Sequence, residues 1–172
     1  MKTIKISLYI FLFGIVLISC NKNDTVADQP NTGGDKVTDS TVKESTILAL
    51  VNNARKSGCT CGSTVMPAVP PLTWNNLLEK AALLHSADMN KNNYFDHTAP
   101  DGSNPGDRIT QVGYTWLAYA ENIAKGYTAE QAVMDGWLKS EGHCKNIMSS
   151  KVKEMGVGRD GNYWTQVFGR SQ

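Results

Sequence analysis

The chain has 172 residues, which suits one domain with its own core and is short for two. Hydrophobic residues make up 41%, a normal globular share. Seventeen basic side chains nearly balance sixteen acidic ones, so no basic face is implied and nucleic acid is not expected as a partner.

Lys2 and Lys5 precede an apolar run from Ile6 to Ile18, broken only by Ser7 and Gly14. The run falls short of the ~20 residues that a bilayer-spanning helix needs, and its length suits the core of a secretory signal peptide. It ends Leu17-Ile18-Ser19-Cys20, which resembles the lipobox of bacterial lipoproteins. That resemblance implies cleavage before Cys20, loss of residues 1–19, and lipid on the Cys20 sulfur and new amino group. Without Lys2 and Lys5 the charge falls to near −1. Each buried acyl methylene adds about 0.8 kcal/mol, so several chains would anchor the protein outside the cytoplasm. Asn21 rather than Asp follows Cys20, which by analogy with bacterial sorting favours the outer membrane.

Residues 20–43 read as the lipidated cysteine and a disordered tether, because the segment is polar, rich in Asn, Asp, Thr and Gly, and lacks aromatics. About twenty flexible residues would reach roughly 25 Å. The folded domain is expected over 44–172. Thr41-x-x-Glu44 has the pattern of a capping box, and Ile47, Leu50, Val51 and Ala54 follow at helical spacing until Lys56-Ser57-Gly58. Cys59-Thr-Cys61-Gly62 and Met66 to Pro71 read as extended loop. A second helix is expected from about Thr73 to Lys91, with Leu77, Leu78, Ala81, Leu84, His85, Asp88 and Met89 inward. Asn104-Pro105-Gly-Asp107 marks a short helix. Tyr114 to Ala124 is β-prone and ends before Gly126. Thr128-x-x-Gln131 is expected to cap a third helix with Ala132, Val133, Gly136 and Trp137 inward. A turn at Gly142 would then start a brief helix from His143 to Met148. Met155 to Gly158 and Tyr163 to Phe168 read as strands joined at Asp160-Gly161.

Seven short motifs occur in order: Leu72-Thr-Trp74-Asn, His85-Ser-Ala-Asp-Met89, Tyr94-Phe-Asp-His97, Ala120-Glu121-Asn-Ile, Trp137-x-x-Ser140-x-Gly142-His143-x-x-Asn146-Ile, Met155-Gly-Val-Gly158 and Tyr163-Trp-Thr-Gln-Val-Phe168-Gly. Each is weak alone. Their order and spacing resemble the CAP superfamily of cysteine-rich secretory, antigen 5 and pathogenesis-related 1 proteins, in its short bacterial form. The resemblance implies an α+β fold, an α-β-α sandwich with a small antiparallel sheet between helical layers. It also implies one open cleft shared by His97, Glu121 and His143. Two imidazoles and a carboxylate suit zinc or another divalent ion and leave a position for water. The family's second acid falls at Ser140 here, with Glu141 adjacent, so Glu121 and Glu141 are the candidate catalytic acids. His85 reads as a hydrogen-bonded core residue, and Met66, Met89 and Met148 as core filler.

With Cys20 assigned to lipid, Cys59, Cys61 and Cys144 remain. Cys144 is expected to pair with Cys59 or Cys61, a loop closure worth on the order of 4 kcal/mol. A zinc site of all three thiolates lacks the usual ligand spacing. Three functions compete: a surface-tethered module binding a small ligand or an envelope component, a metal-dependent hydrolase of peptide or lipid-like substrates, and an envelope scaffold with no working cleft.

Overall fold

The computed structural model describes residues 42–172; the expected signal segment, Cys20 and the expected tether up to Thr41 lie outside the described residues. The elements in chain order are α1 Glu44–Ser57, β1 Cys59–Cys61, β2 Thr64–Met66, β3 Thr73–Trp74, α2 Asn76–Asn92, α3 Pro105–Gln111, β4 Trp116–Lys125, α4 Glu130–Lys139, α5 Glu141–Ile147, β5 Glu154–Asp160 and β6 Tyr163–Ser171. Four strands form one sheet in the order β3-β5-β6-β4, antiparallel except for the short parallel pair β3–β5. The long C-terminal hairpin β5–β6 turns at Gly161-Asn162, with Asp160 opposite Tyr163.

Alternation along β6 divides the domain into layers. Tyr163 and Val167 pack with Met89, Leu78 and Ala82 of α2, and with Ile109 of α3. Trp164 and Phe168 point the other way, into the main core with Ile47 and Val51 of α1, Val133 and Trp137 of α4, and Cys144 and Ile147 of α5. Side chains two apart share a face, so this pattern alone builds helix–sheet–helix. The α+β sandwich implied by the motifs is the observed architecture. Gly156 and Gly158 of β5 let α2 lie directly on the sheet: a Cβ at either would fall on the α2 backbone at Leu78–Glu79 or Ala82–Leu83. This is the physical content of the Met-Gly-Val-Gly motif.

Local expectations fail where a tertiary partner takes over. Helix α1 starts at Glu44 with Lys43 as its N-cap and no side-chain cap; the Lys43 N–H donates to Glu130 of α4 instead. Arg55, in the last turn of α1, is buried and donates to the carbonyls of Pro70, Ile147 and Ser149 at 2.6–2.9 Å, tying α1 to the end of α5. Burial lowers its pKa to about 10, which leaves it charged at neutral pH. The loop read at Cys59 contains a hairpin, β1–β2. Thr73–Trp74 is a strand rather than helix, and α2 begins after Asn75, whose side chain accepts from Leu77 and Leu78 N–H. Leu77 and Leu84 face outward, while Ala82 and Ser86 face in. The N-cap of α4 is Ala129, not Thr128, and Ala132 is exposed while Met134 is buried. Gly142 lies within α5 and makes no turn; the chain bends at Ser140. The capping box Asn104/Asp107 forms as expected.

Candidate functional site

Glu121 lies on β4, an edge strand of the sheet. It stands opposite Val167 in the β4–β6 register and so faces the α2–α3 layer, with its side chain only 3% exposed. A buried carboxylate needs partners for both oxygens, and it has them. His97 Nδ1 donates to Oε1 at 2.8 Å, and Arg108 Nη2 donates to Oε2 at 2.8 Å. Arg108, from α3, also donates to the carbonyls of His97 and Ser103, so it holds both the carboxylate and the loop that carries the histidine. That loop is braced by Asp96 and Asp101, which accept from the N–H groups of Thr98 and Ser103.

His85 approaches the same carboxylate from α2, with Nε2 at 3.9 Å from Oε1. Its closer partner is the Asp96 carbonyl at 3.0 Å, and Tyr94, which donates to Asp88, lies beside Nδ1. Burial lowers the pKa of His85, so it packs as a neutral ring, in keeping with a core role. The bond to Glu121 instead raises the pKa of His97, whose side chain is 47% exposed. With Nδ1 committed, Nε2 is the nitrogen of His97 left to face a ligand.

His143 lies on α5, in the opposite layer. The next strand position after Glu121, Asn122, points toward α5, donating to the His143 carbonyl at 3.2 Å and to Gln166 Oε1 at 2.9 Å. Asn146, one turn along α5, donates to Asn122 Oδ1 at 2.9 Å and to the free edge of β4 at the Glu121 carbonyl, 3.2 Å. These amides lock α5 against the strand. Burial lowers the pKa of His143, and the charge of His97 lowers it further. Their ligand atoms and those of Glu121 are not all within 4.8 Å of one another; among the described residues only Cys59, Cys61 and Cys144 form such a group. Glu141 is elsewhere: its carboxylate pairs with Lys145 and lies against Gly62 of the β1–β2 turn.

The disulfide joins Cys61 to Cys144, leaving Cys59 as a buried thiol. The bridge removes two of the three thiolates that a zinc site there would need.

Of the three residues expected to share a cleft, His97 and Glu121 are bonded to one another, and nothing in the sequence signalled Arg108 as the second partner of Glu121. A single arginine in a seven-residue helix carries no spacing signal, and its role depends on the capping box that starts α3. Asn122, Asn146 and Gln166 stood within the motifs without a role. For Asn122, next to Glu121, and Asn146, three residues after His143, that proximity was the available clue; Gln166 had none.

A helix–sheet–helix sandwich with a buried glutamate holding a histidine across its sheet edge defines a class, and comparison with known proteins identifies it. Residues 48–168 match the model of the cysteine-rich secretory protein family, CAP, and the chain belongs to that family. It is 32% identical to YkwD of Bacillus subtilis over 152 residues, which is 87% of this chain and 56% of that protein. It is 35% identical to the B. subtilis membrane protein YlbC over 128 residues, 74% of this chain and 34% of that one. Among solved structures it is similar to an extracellular SCP-domain protein of Bacillus anthracis, with TM-score 0.67 and 33% identity over 74% of this chain and 40% of the other. An outer surface protein of Borrelia burgdorferi shares the fold at 20% identity and TM-score 0.64, over 74% of this chain and 92% of that one. The chain thus spans about half or less of the B. subtilis relatives it matches.

Proposed function

We propose that this CAP domain is an envelope-tethered binding module whose cleft at the β4 edge holds a divalent ion between His97 and His143. The observation that supports binding over turnover is the double engagement of Glu121, whose oxygens are held by His97 and by Arg108. A carboxylate bonded to a permanent cation makes a poor proton acceptor, and Glu141 is paired with Lys145 away from the histidines. Glu121 instead fixes the tautomer and orientation of His97, as carboxylates do behind metal-bound imidazoles. His97 offers Nε2, where an ion would have to displace a proton because the bond to Glu121 raises that pKa, and His143 has a pKa lowered by burial, which favours its neutral, ligating form. A zinc-class ion held there would supply a Lewis-acidic point for a carbonyl or anionic group of a ligand. His97 and His143 would hold it, while Arg108 and Asn146 keep the two layers in register. The lipobox at Cys20 would place the cleft on an envelope surface, with Asn21 favouring the outer membrane; similarity to an extracellular SCP-domain protein supports a place outside the cytoplasm. Among the described residues no helix is long and apolar enough to cross a membrane.

Zinc titration of the mature chain by calorimetry, with metal analysis of the dialysed protein, tests this reading. One equivalent should bind to the native chain, binding should be lost in His97→Ala and in His143→Ala, and affinity should fall about 10- to 100-fold in Glu121→Gln. Stoichiometric binding that survives both histidine changes would remove the proposal. Hydrolysis requiring both zinc and His143, found in a screen of peptide and ester substrates, would replace the binding module with the hydrolase.

A further inference from the structure

Cys59 and Cys61 occupy alternate positions of β1, so both side chains lie on its buried face, with Thr60 between them facing solvent. Cys144 of α5 sits opposite that face. Cys61 bridges to it with Cα atoms 5.4 Å apart. The remaining thiol is in contact with both bonded sulfurs: Cys59 Sγ lies 3.6 Å from Cys144 Sγ and 3.9 Å from Cys61 Sγ. All three sulfurs are packed in the main core, with Cys61 and Cys144 fully buried and Cys59 5% exposed. A free thiol touching a disulfide in a closed pocket has one nearby reaction partner, and it needs no diffusing reagent to react.

We infer that the three sulfurs form an internal thiol–disulfide exchange site, in which the staple of α5 passes between Cys61–Cys144 and Cys59–Cys144. Deprotonated Cys59 donates an electron pair to Cys144 Sγ, and a Cys59–Cys144 bond forms. The Cys61–Cys144 bond breaks, its electron pair leaves on Cys61, and Cys61 takes up a proton in place of the one Cys59 released. One disulfide and one thiol are present before and after, so no outside oxidant or reductant enters. Near-equal distances to the two sulfurs place Cys59 beside the bond rather than at its end, so in-line attack requires rotation about the Cys59 or Cys144 side chain. Attack on Cys144 keeps the strand tied to α5. Attack on Cys61 would release α5 and close a bridge between same-face neighbours roughly 6.6 Å apart along one strand, at the long limit for a disulfide. Because Cys144 directly follows His143, the two isomers tether the histidine-bearing helix to strand positions two residues apart.

The test uses the full mature chain, incubated at mildly alkaline pH, quenched in acidic urea with N-ethylmaleimide, digested without reduction, and sequenced by fragment-ion mass spectrometry to locate the label. The expected result is two populations, one labelled at Cys59 and one at Cys61, with Cys144 bridged in both. In Cys61→Ser the Cys59–Cys144 bridge should form to completion, and Cys59→Ser should show no label. Label confined to Cys59 in the native chain after prolonged incubation overturns the proposal, whatever the single variants do. Label on Cys144 overturns it as well, because the staple would then have opened instead of moving.

Discussion

Glu121 and Arg108 are buried together, and each is the other's counter-charge. Removing one partner of such a pair strands the other in a low-dielectric site, at a cost of about 3–5 kcal/mol. Glu121→Ala should therefore destabilise by that amount in denaturant melts and release the His97 loop, whereas Glu121→Gln, which keeps the shape and one acceptor, should lose less. A Glu121→Gln variant as stable as the native chain would show that the charge pair contributes nothing. The histidines carry opposite pH signatures. Because the folded pKa of His97 is raised, its stabilisation is complete below the unfolded value of about 6.5 and disappears as pH rises through the folded value. The pKa of His143 is lowered, so its neutral form favours the fold above about 6.5, and that contribution is lost as pH falls through the folded value. The two effects offset each other in the native chain. In His97→Gln the loss from His143 stands uncompensated, so Tm should drop further between about pH 7.5 and 5.5 than it does in the native chain. Parallel drops would refute the offset.

Strand β5 and helix α2 meet backbone to backbone, because two glycines remove the Cβ atoms that would separate them. Gly158→Ala puts a methyl group on the α2 backbone at Leu83, where no rotamer change can relieve it. Overpacking of this kind costs about 1–3 kcal/mol, and a backbone neighbour places it at the upper end, measurable as a shift in the urea midpoint. Arg55 is the other inter-element tie: its guanidinium ends α5 by bonding the Ile147 and Ser149 carbonyls. Arg55→Ala should cost about 2–4 kcal/mol from lost charge-assisted bonds and should loosen α5, read as faster amide exchange at Met148 and Ser149. Unchanged exchange there would mean that α5 is held by its other contacts alone. Nothing in the sequence near Arg55 distinguishes it from an exposed basic residue of a last helical turn. Its three acceptors come from positions 15 to 94 residues away.

At the scale of the whole fold, the covalent link among the described residues is Cys61–Cys144, spanning 83 residues and joining the β1–β2 hairpin to the helix that carries His143. In the chain-entropy model a loop of that size stabilises by about 4.5 kcal/mol. The double change Cys59→Ser, Cys61→Ser removes both bridging choices and should lower stability by about that amount in equilibrium melts; a loss under about 1 kcal/mol would place the stabilisation in packing alone. On the cellular side, Cys20→Ser should move the protein from the membrane fraction to the soluble fraction if the lipobox reading holds. Continued membrane association of that variant would retire the lipid anchor.

Much of the fold was legible because the β-prone runs of β4 and β6, the Asn104 cap with Pro105 behind it and the Asp160-Gly161 turn signal are local patterns, each with one physical outcome. Of the expected site, the pairing of His97 with Glu121 is present. What the sequence could not determine were the outcomes set by competition between distant groups: Arg108 rather than a second acid at Glu121, Glu141 turned to Lys145, Arg55 inside rather than out, and Cys61 rather than Cys59 on Cys144. The two cysteines of β1 share a face and a neighbour, so their spacing is symmetric with respect to Cys144. Only the three-dimensional position of α5 against the hairpin separates them, bonding one sulfur and leaving the other 3.6 Å from Cys144 Sγ.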